Sequence, residues 1–178
     1  MQVKLKIPSD VQIEVQGGEV SVKGAKGELK REFLDHPLFK KEVKIEKSGE
    51  EFVVSCSSEK KKIKAMVGTV AAHVRNMMKG VKDGYNAKLK IIYVHFPMTV
   101  KITGEDVLIS NFLGERVPRK AKIPTGCKID IKGDEIHVSG IDKDKIGFIC
   151  KTIEETTRVK ARDRRVFGDG IFIQEKPR

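Results

Sequence analysis

The densest chemical signal in this 178-residue chain is Arg158-Val159-Lys160-Ala161-Arg162-Asp163-Arg164-Arg165, in which five of eight residues are basic. Arg158, Lys160, Arg162 and Arg164 recur at every second position, so an extended backbone would point all four the same way. Such a comb can neutralise successive phosphates and release their counterions. Arginine suits the task, because its planar fork matches two phosphate oxygens at once. The bland alternative is a solvated loop after a helix, favoured by the helix C-terminal dipole. On a chain of formal net charge +11 the phosphate comb is the preferred reading. A second cluster, Arg116, Arg119, Lys120 and Lys122, is punctuated by Pro118 and Pro124 and reads as an irregular basic loop. Lys60-Lys61-Lys62 with Lys64 opens a helical stretch, where positive charge opposes the dipole, and reads as solvated surface.

Other chemistry finds less support. His36, His73, His95 and His137 are scattered, and none has a metal-ligand or catalytic spacing. P-loop, Gly-x-Ser-x-Gly and His-Glu-x-x-His segments are absent, so no catalytic residue, metal ligand or cofactor is assigned. Cys56, Cys127 and Cys150 are odd in number and far apart, which favours neither a zinc site nor a disulfide framework and fits a reducing cytoplasm. Gly24-Ala25-Lys26-Gly27 has the spacing of a Gly-x-x-Gly nucleic-acid clamp, but it follows a strand pattern and reads as a turn. Gly168-Asp169-Gly170 likewise precedes a strand and reads as a turn.

Composition narrows the partner. The pI is about 9.6, which points to a polyanion. No apolar run approaches a membrane span, and no basic amphipathic helix suggests membrane-surface binding. Eight Phe, two Tyr and no Trp hardly interleave with the basic clusters, so stacking on splayed single-stranded bases is not expected to dominate. Folded RNA, met through phosphate, ribose and shape, fits better than DNA, for which no helix-turn-helix or zinc-finger pattern appears. Seven of the nine arginines lie beyond residue 90, so the second half is the better candidate for specific phosphate contact.

The elements that must position these residues come from an internal repeat. Pro8, Val11 and Ile13 return as Pro97, Val100 and Ile102, and Val20, Val22, Gly27 and Glu28 return as Val107, Ile109, Gly114 and Glu115. Each copy opens with a period-2 hairpin, turned at Gly17-Gly18 or at Gly104-Glu105-Asp106. Further strands flank Ser48-Gly49 and Gly133-Asp134. A helix follows in each copy, with Ile63, Met66, Val67, Val70, Ala71, Val74 and Met78 on one face, and Ile146, Ile149, Cys150, Ile153 and Thr157 in the second. Gly68 and Gly147 are expected at equivalent places, where the helix would closely approach the sheet. Each copy is expected to close with a strand, Ala87–Val94 after Asp83-Gly84 and Ile171–Ile173 after Asp169-Gly170. The fold class is α+β: two tandem similar domains, 1–82 and 83–178, each a small, mostly antiparallel sheet with one helix packed on it. A shared or continuous strand is expected to join them.

Three segments together resemble a known family. Arg165-Val166-Phe167-Gly168-Asp169-Gly170-Ile171-Phe172-Ile173, preceded by Arg162, resembles the C-terminal signature of the L-six family of large-subunit ribosomal proteins. Gly84-Tyr85, Lys88-Leu89-Lys90 and His95-Phe96-Pro97 resemble its archaeal and eukaryotic branch, called L-nine in eukaryotes, and Phe112-Leu113-Gly114-Glu115-Arg116 adds a third match. The resemblance spans the chain in order. It implies a non-enzymatic structural role in the cytoplasmic ribosome, with large-subunit rRNA and neighbouring large-subunit proteins as partners. It also implies rRNA binding mainly through the second domain, near the sarcin-ricin loop and the stalk base where translational GTPases dock. Carried onto this chain, the contacts fall on Arg158, Lys160, Arg162, Arg164 and Arg165, with the turn at Gly168–Gly170. Arg116, Arg119 and Lys120 remain candidates on the charge of their own cluster. The alternative is an RNA-processing or modifying factor with a basic docking face. That reading needs a pocket joining a histidine to carboxylates beside the arginines.

Overall fold

The computed structural model describes residues 1–33 and 42–178; His36 lies outside them. The chain divides into two compact units, Met1–Gly84 and Tyr85–Arg178. In the first, β1 (Gln2–Lys6), β6 (Glu51–Cys56) and β5 (Val43–Ser48) form an antiparallel sheet in the order β1-β6-β5. A second antiparallel sheet is the meander β2 (Gln12–Gln16), β3 (Glu19–Gly24) and β4 (Gly27–Glu32). Helix α1 (Lys61–Lys82) packs on both. Its buried stripe of Ile63, Val67, Val70, Ala71, Val74 and Met78 is the face expected from spacing. Lys60 at the N-cap offers no side-chain cap and no acidic residue follows in the first turn, so this burial, rather than its ends, holds α1 in place.

The second unit repeats the plan and adds to it. A meander of β8 (Thr99–Thr103), β9 (Asp106–Ser110) and β10 (Arg119–Lys122) matches β2-β3-β4. The other sheet has the order β11-β12-β7-β13, from β11 (Cys127–Lys132), β12 (Glu135–Gly140), β7 (Tyr85–Ile92) and β13 (Gly170–Glu175). Helix α2 (Lys143–Thr156) covers it, capped by the Asp142 carboxylate accepting the Asp144 amide at 2.9 Å.

The strand after Asp83-Gly84 does not close the first copy, nor is it shared between copies. β7 pairs with β12 and β13, both in the second unit. Its counterpart is β1: Val3↔Val54 and Leu5↔Phe52 in one sheet correspond to Ala87↔Val138 and Leu89↔Ile136 in the other. Lys4-Leu5-Lys6-Ile7 and Lys88-Leu89-Lys90-Ile91 are the same four residues in the same alternation. Thus β7 opens the second copy, and β13 has no counterpart among the described residues of the first.

Two further expectations are corrected. Residues 119–122 form strand β10 rather than an irregular loop, because Pro118 and Pro124 flank the run without interrupting it and Ala121 is buried against β9. Gly68 and Gly147 make no close approach, since a Cβ at either would meet open space. They are not equivalent either: Ile63, Val67 and Val70 match Ile146, Cys150 and Ile153 on the buried stripes, which aligns Gly147 with Lys64. The close approach lies at Gly24, where a Cβ would sit 2.8 Å from Val81 Cγ2 and 2.9 Å from its carbonyl oxygen. The Gly24–Gly27 turn is therefore structural, and Lys26 N–H donates to the same Val81 carbonyl at 2.9 Å.

These two glycine environments predict opposite outcomes. Gly24→Ala should destabilise the chain by about 1–3 kcal/mol through overpacking against α1. Gly68→Ala, exposed in mid-helix, should be neutral or gain about 0.5–1 kcal/mol. Urea unfolding midpoints of the two variants measure the contrast.

Candidate nucleic-acid interface

The segment from Arg158 to Asp169 leaves the end of α2 and delivers the chain to β13. It is not extended. Ala161 adopts a left-handed φ of 57°, and Asp163 turns the chain by accepting the Val166 and Phe167 amides at 3.1 and 2.9 Å. The comb with one common direction is therefore corrected to a folded loop. Val159 is buried and anchors its first limb, while Arg158, Lys160, Arg162, Arg164 and Arg165 are all exposed.

Both ends of this loop are held. At the helix end, the buried Thr157 hydroxyl accepts the Ile171 amide at 2.9 Å, and Glu154 accepts the Ile173 amide at 3.3 Å. These two bonds satisfy two amides on the outer edge of β13, which pairs with β7 on its other side. At the far end, Asp169 is 2% exposed. Its Oδ1 accepts the Val94 and His95 amides at 2.8 and 3.0 Å, and its Oδ2 lies 2.8 Å from His95 Nδ1. Burial alone would push this carboxyl up. The His95 amide and ring and the Val94 amide outweigh it and hold the group down to about 2. The His95 ring packs on Phe167 with centroids 4.7 Å apart, and the Arg162 guanidinium lies 4.8 Å from the centroid of the same Phe167 ring. Asp169 thus clasps two loops together, and the stack it supports ends in an arginine.

A third loop joins them. Asn111 and Leu113 take left-handed φ of 60° and 50°, unusual for side-chain-bearing residues. Asn111 Nδ2 donates to the Pro97 carbonyl at 2.9 Å, and Gly114 faces the edge of Phe96. Arg119 then ties this loop to the helix end. Its guanidinium grips Glu115 through Nε and Nη2, donates through Nη1 to the Thr156 and Arg158 carbonyls at 2.6 and 3.2 Å, and covers Phe112 at 4.3 Å. Arg119 holds the Glu115 carboxyl below the usual carboxylate range, with Arg162 and Lys160 adding to the effect.

Of the ten candidate residues, the structure makes different uses. Arg158, Lys160, Arg162, Arg164 and Arg165 point to solvent, although Arg165 also pairs with Asp163 at 2.9 Å. Arg116 and Lys120 are exposed on the neighbouring loop and strand. The Arg119 fork is committed inside the protein and acts as a tie. Gly168 is exposed with open space around it. Gly170 is buried, with a Cβ there 3.2 Å from the Phe172 ring, and it begins β13. The turn lies earlier than expected, at Asp163–Phe167.

Sequence reasoning missed Asp169, His95 and Phe167 as parts of this end of the unit. It also kept the aromatics apart from the basic residues, whereas Phe167 and Phe112 each lie against an arginine. An open cleft of about 400 Å³ borders the loop, lined by Glu154, Glu155, Arg158, Arg164, Asp169 and Phe172 among others. His95 is not in that lining, and the Asp169 oxygens are occupied by the clasp, so the histidine–carboxylate pocket that a modifying enzyme needs is not assembled there. Burial pushes the Cys150 thiol up to about 11, away from thiolate chemistry.

Because the folded Asp169 lies below its ordinary value of 3.8, its contribution to stability is complete above about pH 4 and is lost as pH falls toward 2. Asp169→Asn should therefore be destabilised at pH 7 and show a flatter stability profile between pH 4 and 2. Denaturant midpoints of both chains across that range test this.

The comparisons with known proteins converge on one family. A family model described as ribosomal protein L6 matches residues 7–84 and 96–170, one segment in each unit. The chain is 43% identical over 173 residues to the large ribosomal subunit protein uL6 of Methanobrevibacter smithii, covering 97% of this chain and 94% of that one. It is 45% identical to the protein of the same name from Methanococcus vannielii, covering 97% and 92%. The similarity to that of Methanothrix thermoacetophila is 42% over 97% and 96%.

Proposed function

Since the chain belongs to the ribosomal protein L6 family, we propose that it fixes local rRNA structure through the exposed basic loop of its second repeat. It is a structural constituent of the large ribosomal subunit rather than an enzyme, associated there with rRNA and other ribosomal proteins. No helix among the described residues is long and apolar enough to cross a membrane.

One observation carries the finer reading. Five exposed cationic side chains, Arg158, Lys160, Arg162, Arg164 and Arg165, ride a loop pinned by Thr157 at one end and by Asp169 at the other. A pinned loop gives up little conformational entropy on binding, so more of each phosphate contact is retained as affinity. The loop's folded form favours contact with phosphates at several heights and angles, as folded RNA presents them, over a single straight backbone. Arg116 and Lys120 extend the surface, and Gly168 leaves room for close approach of a ribose or phosphate. Arg119 and Gly170 support the surface from within. We assign residues 1–82 to the first repeat and 83–178 to the second, which carries the rRNA surface. The family resemblance supports placing that surface near the sarcin-ricin loop and stalk base, with translational GTPases close by.

Replacing Arg162, Arg164 and Arg165 by Ala should weaken binding to a transcript carrying the sarcin-ricin hairpin by about a hundredfold at 0.1 M salt. The plot of log affinity against log salt should flatten by about 2 to 3. Arg119→Ala should instead lower the unfolding free energy by about 1–3 kcal/mol, because it strands two carbonyls and a carboxylate. Filter binding across a salt series, with urea unfolding alongside, separates the two roles. Unchanged affinity in the triple variant would remove this loop from the rRNA contact.

A further inference from the structure

We propose that the outer edge of β1 is a docking site for an extended segment of another protein, which adds to the first unit's sheet as an antiparallel strand. The inference rests on membership of the large subunit but not on the rRNA contact assigned to the second repeat.

The second unit displays the arrangement. There β7 is covered on one side by β12 and on the other by β13, with Ile171 across from Ile91, Phe172 across from Lys90 and Ile173 across from Leu89. In the first unit β1 carries the same Lys-Leu-Lys-Ile run in the same register against β6, and β6 is its single partner among the described residues. Antiparallel pairing alternates the direction of the amides. Met1 and Cys56 bond to each other, and the Ile7 amide donates to Glu50, so the Gln2, Lys4 and Lys6 amides face away from β6.

Burial supports the comparison independently. Leu5 is 7% exposed where Leu89 is 0%, and Val3 and Ile7 are half-buried where Ala87 and Ile91 are buried. At each matched position the described residues of the first unit supply no strand in place of β13.

The occupant's chemistry follows from the edge. Aliphatic residues at alternate positions would lie beside Leu5 and Ile7, as Ile173 and Ile171 lie beside Leu89 and Ile91. A carboxylate just beyond the residue beside Leu5 would meet Lys4, as Glu175, beyond Ile173, lies across from Lys88 in β13. A second copy of this chain fits poorly, because antiparallel pairing of two β1 strands sets Lys4 and Lys6 against each other. Lysines here do not by themselves bar a strand, since Lys88 and Lys90 are paired in β7.

Amide exchange at Gln2, Lys4 and Lys6 in the full chain, alone and within assembled large subunits, tests the proposal. Exchange should slow at least tenfold on assembly. A photo-crosslinking residue replacing Lys4 should then join to a protein segment with aliphatic residues at alternate positions. Lys4→Pro removes an outward donor and leaves the backbone bonds to β6 in place, losing only the exposed ion pair of Lys4 with Glu51, so subunits carrying it should lose protection at Lys6. Unchanged exchange on assembly, crosslinks to RNA alone, or full Lys6 protection in Lys4→Pro subunits would overturn the proposal. If Lys4→Pro fails to fold, the exchange and crosslinking results on the otherwise intact chain still decide. Failure of the chain to sediment with the large subunit would instead refute the ribosomal reading itself.

Discussion

A carboxylate withdrawn from water either finds donors or takes a proton. Asp169 finds three, two backbone amides and an imidazole, all from residues 94–95, far from it in sequence. The consequence is geometric as much as electrostatic. Satisfying that one buried charge requires the loop leaving β7 and the loop entering β13 to lie side by side. Phe167 then has His95 to pack on, and Arg162 has Phe167 beneath it. Arg119 does the same work for the third loop by joining Glu115 to the end of α2. The basic surface therefore depends on two ionic ties that themselves offer nothing to a ligand.

The repeat explains why, among the described residues, this surface belongs to the second unit. In the first unit α1 runs through Asp83-Gly84 directly into β7, with no loop between helix and strand. In the second, β13 must reach the open side of β7, and residues 157–169 make that crossing. A connection outside the sheet can carry charged residues without placing them in a core. The cationic loop is thus an outcome of topology: the strand that completes the second sheet needs a crossing, and the crossing carries the chemistry.

Much of the fold was legible because periodicity reports burial directly. The stripe from Ile63 to Met78 and the stripe from Ile146 to Thr157 are the buried faces of α1 and α2. The misreadings share a cause, which is that local pattern does not encode partners. β7 alternates as any half-buried strand does, and only its pairing with β12 and β13 assigns it to the second copy. The close approach was expected at Gly68 on the helix, which faces open space, whereas it lies at Gly24, read as a turn residue, which abuts Val81. The every-second-residue spacing from Arg158 to Arg164 suggested an extended comb, but a left-handed Ala161 and the Asp163 turn redirect the chain. The basic residues themselves were identifiable from type and density. Their platform was not, because Asp169, His95 and Phe167 meet only through tertiary contact.

Exposed ion pairs such as Arg165–Asp163 add little to stability. Five cations on one short loop repel one another, and an unconstrained segment would relieve that by spreading apart. Here Thr157 and Asp169 fix its ends, Val159 is buried, and Phe167 holds Arg162 in place. The folding energy of the unit is thereby used to keep like charges close in the absence of a counter-charge. On the proposed reading, a polyanion bound there would relieve the repulsion and meet donors already arranged, so the electrostatic cost carried by the free chain would become part of the driving force for association.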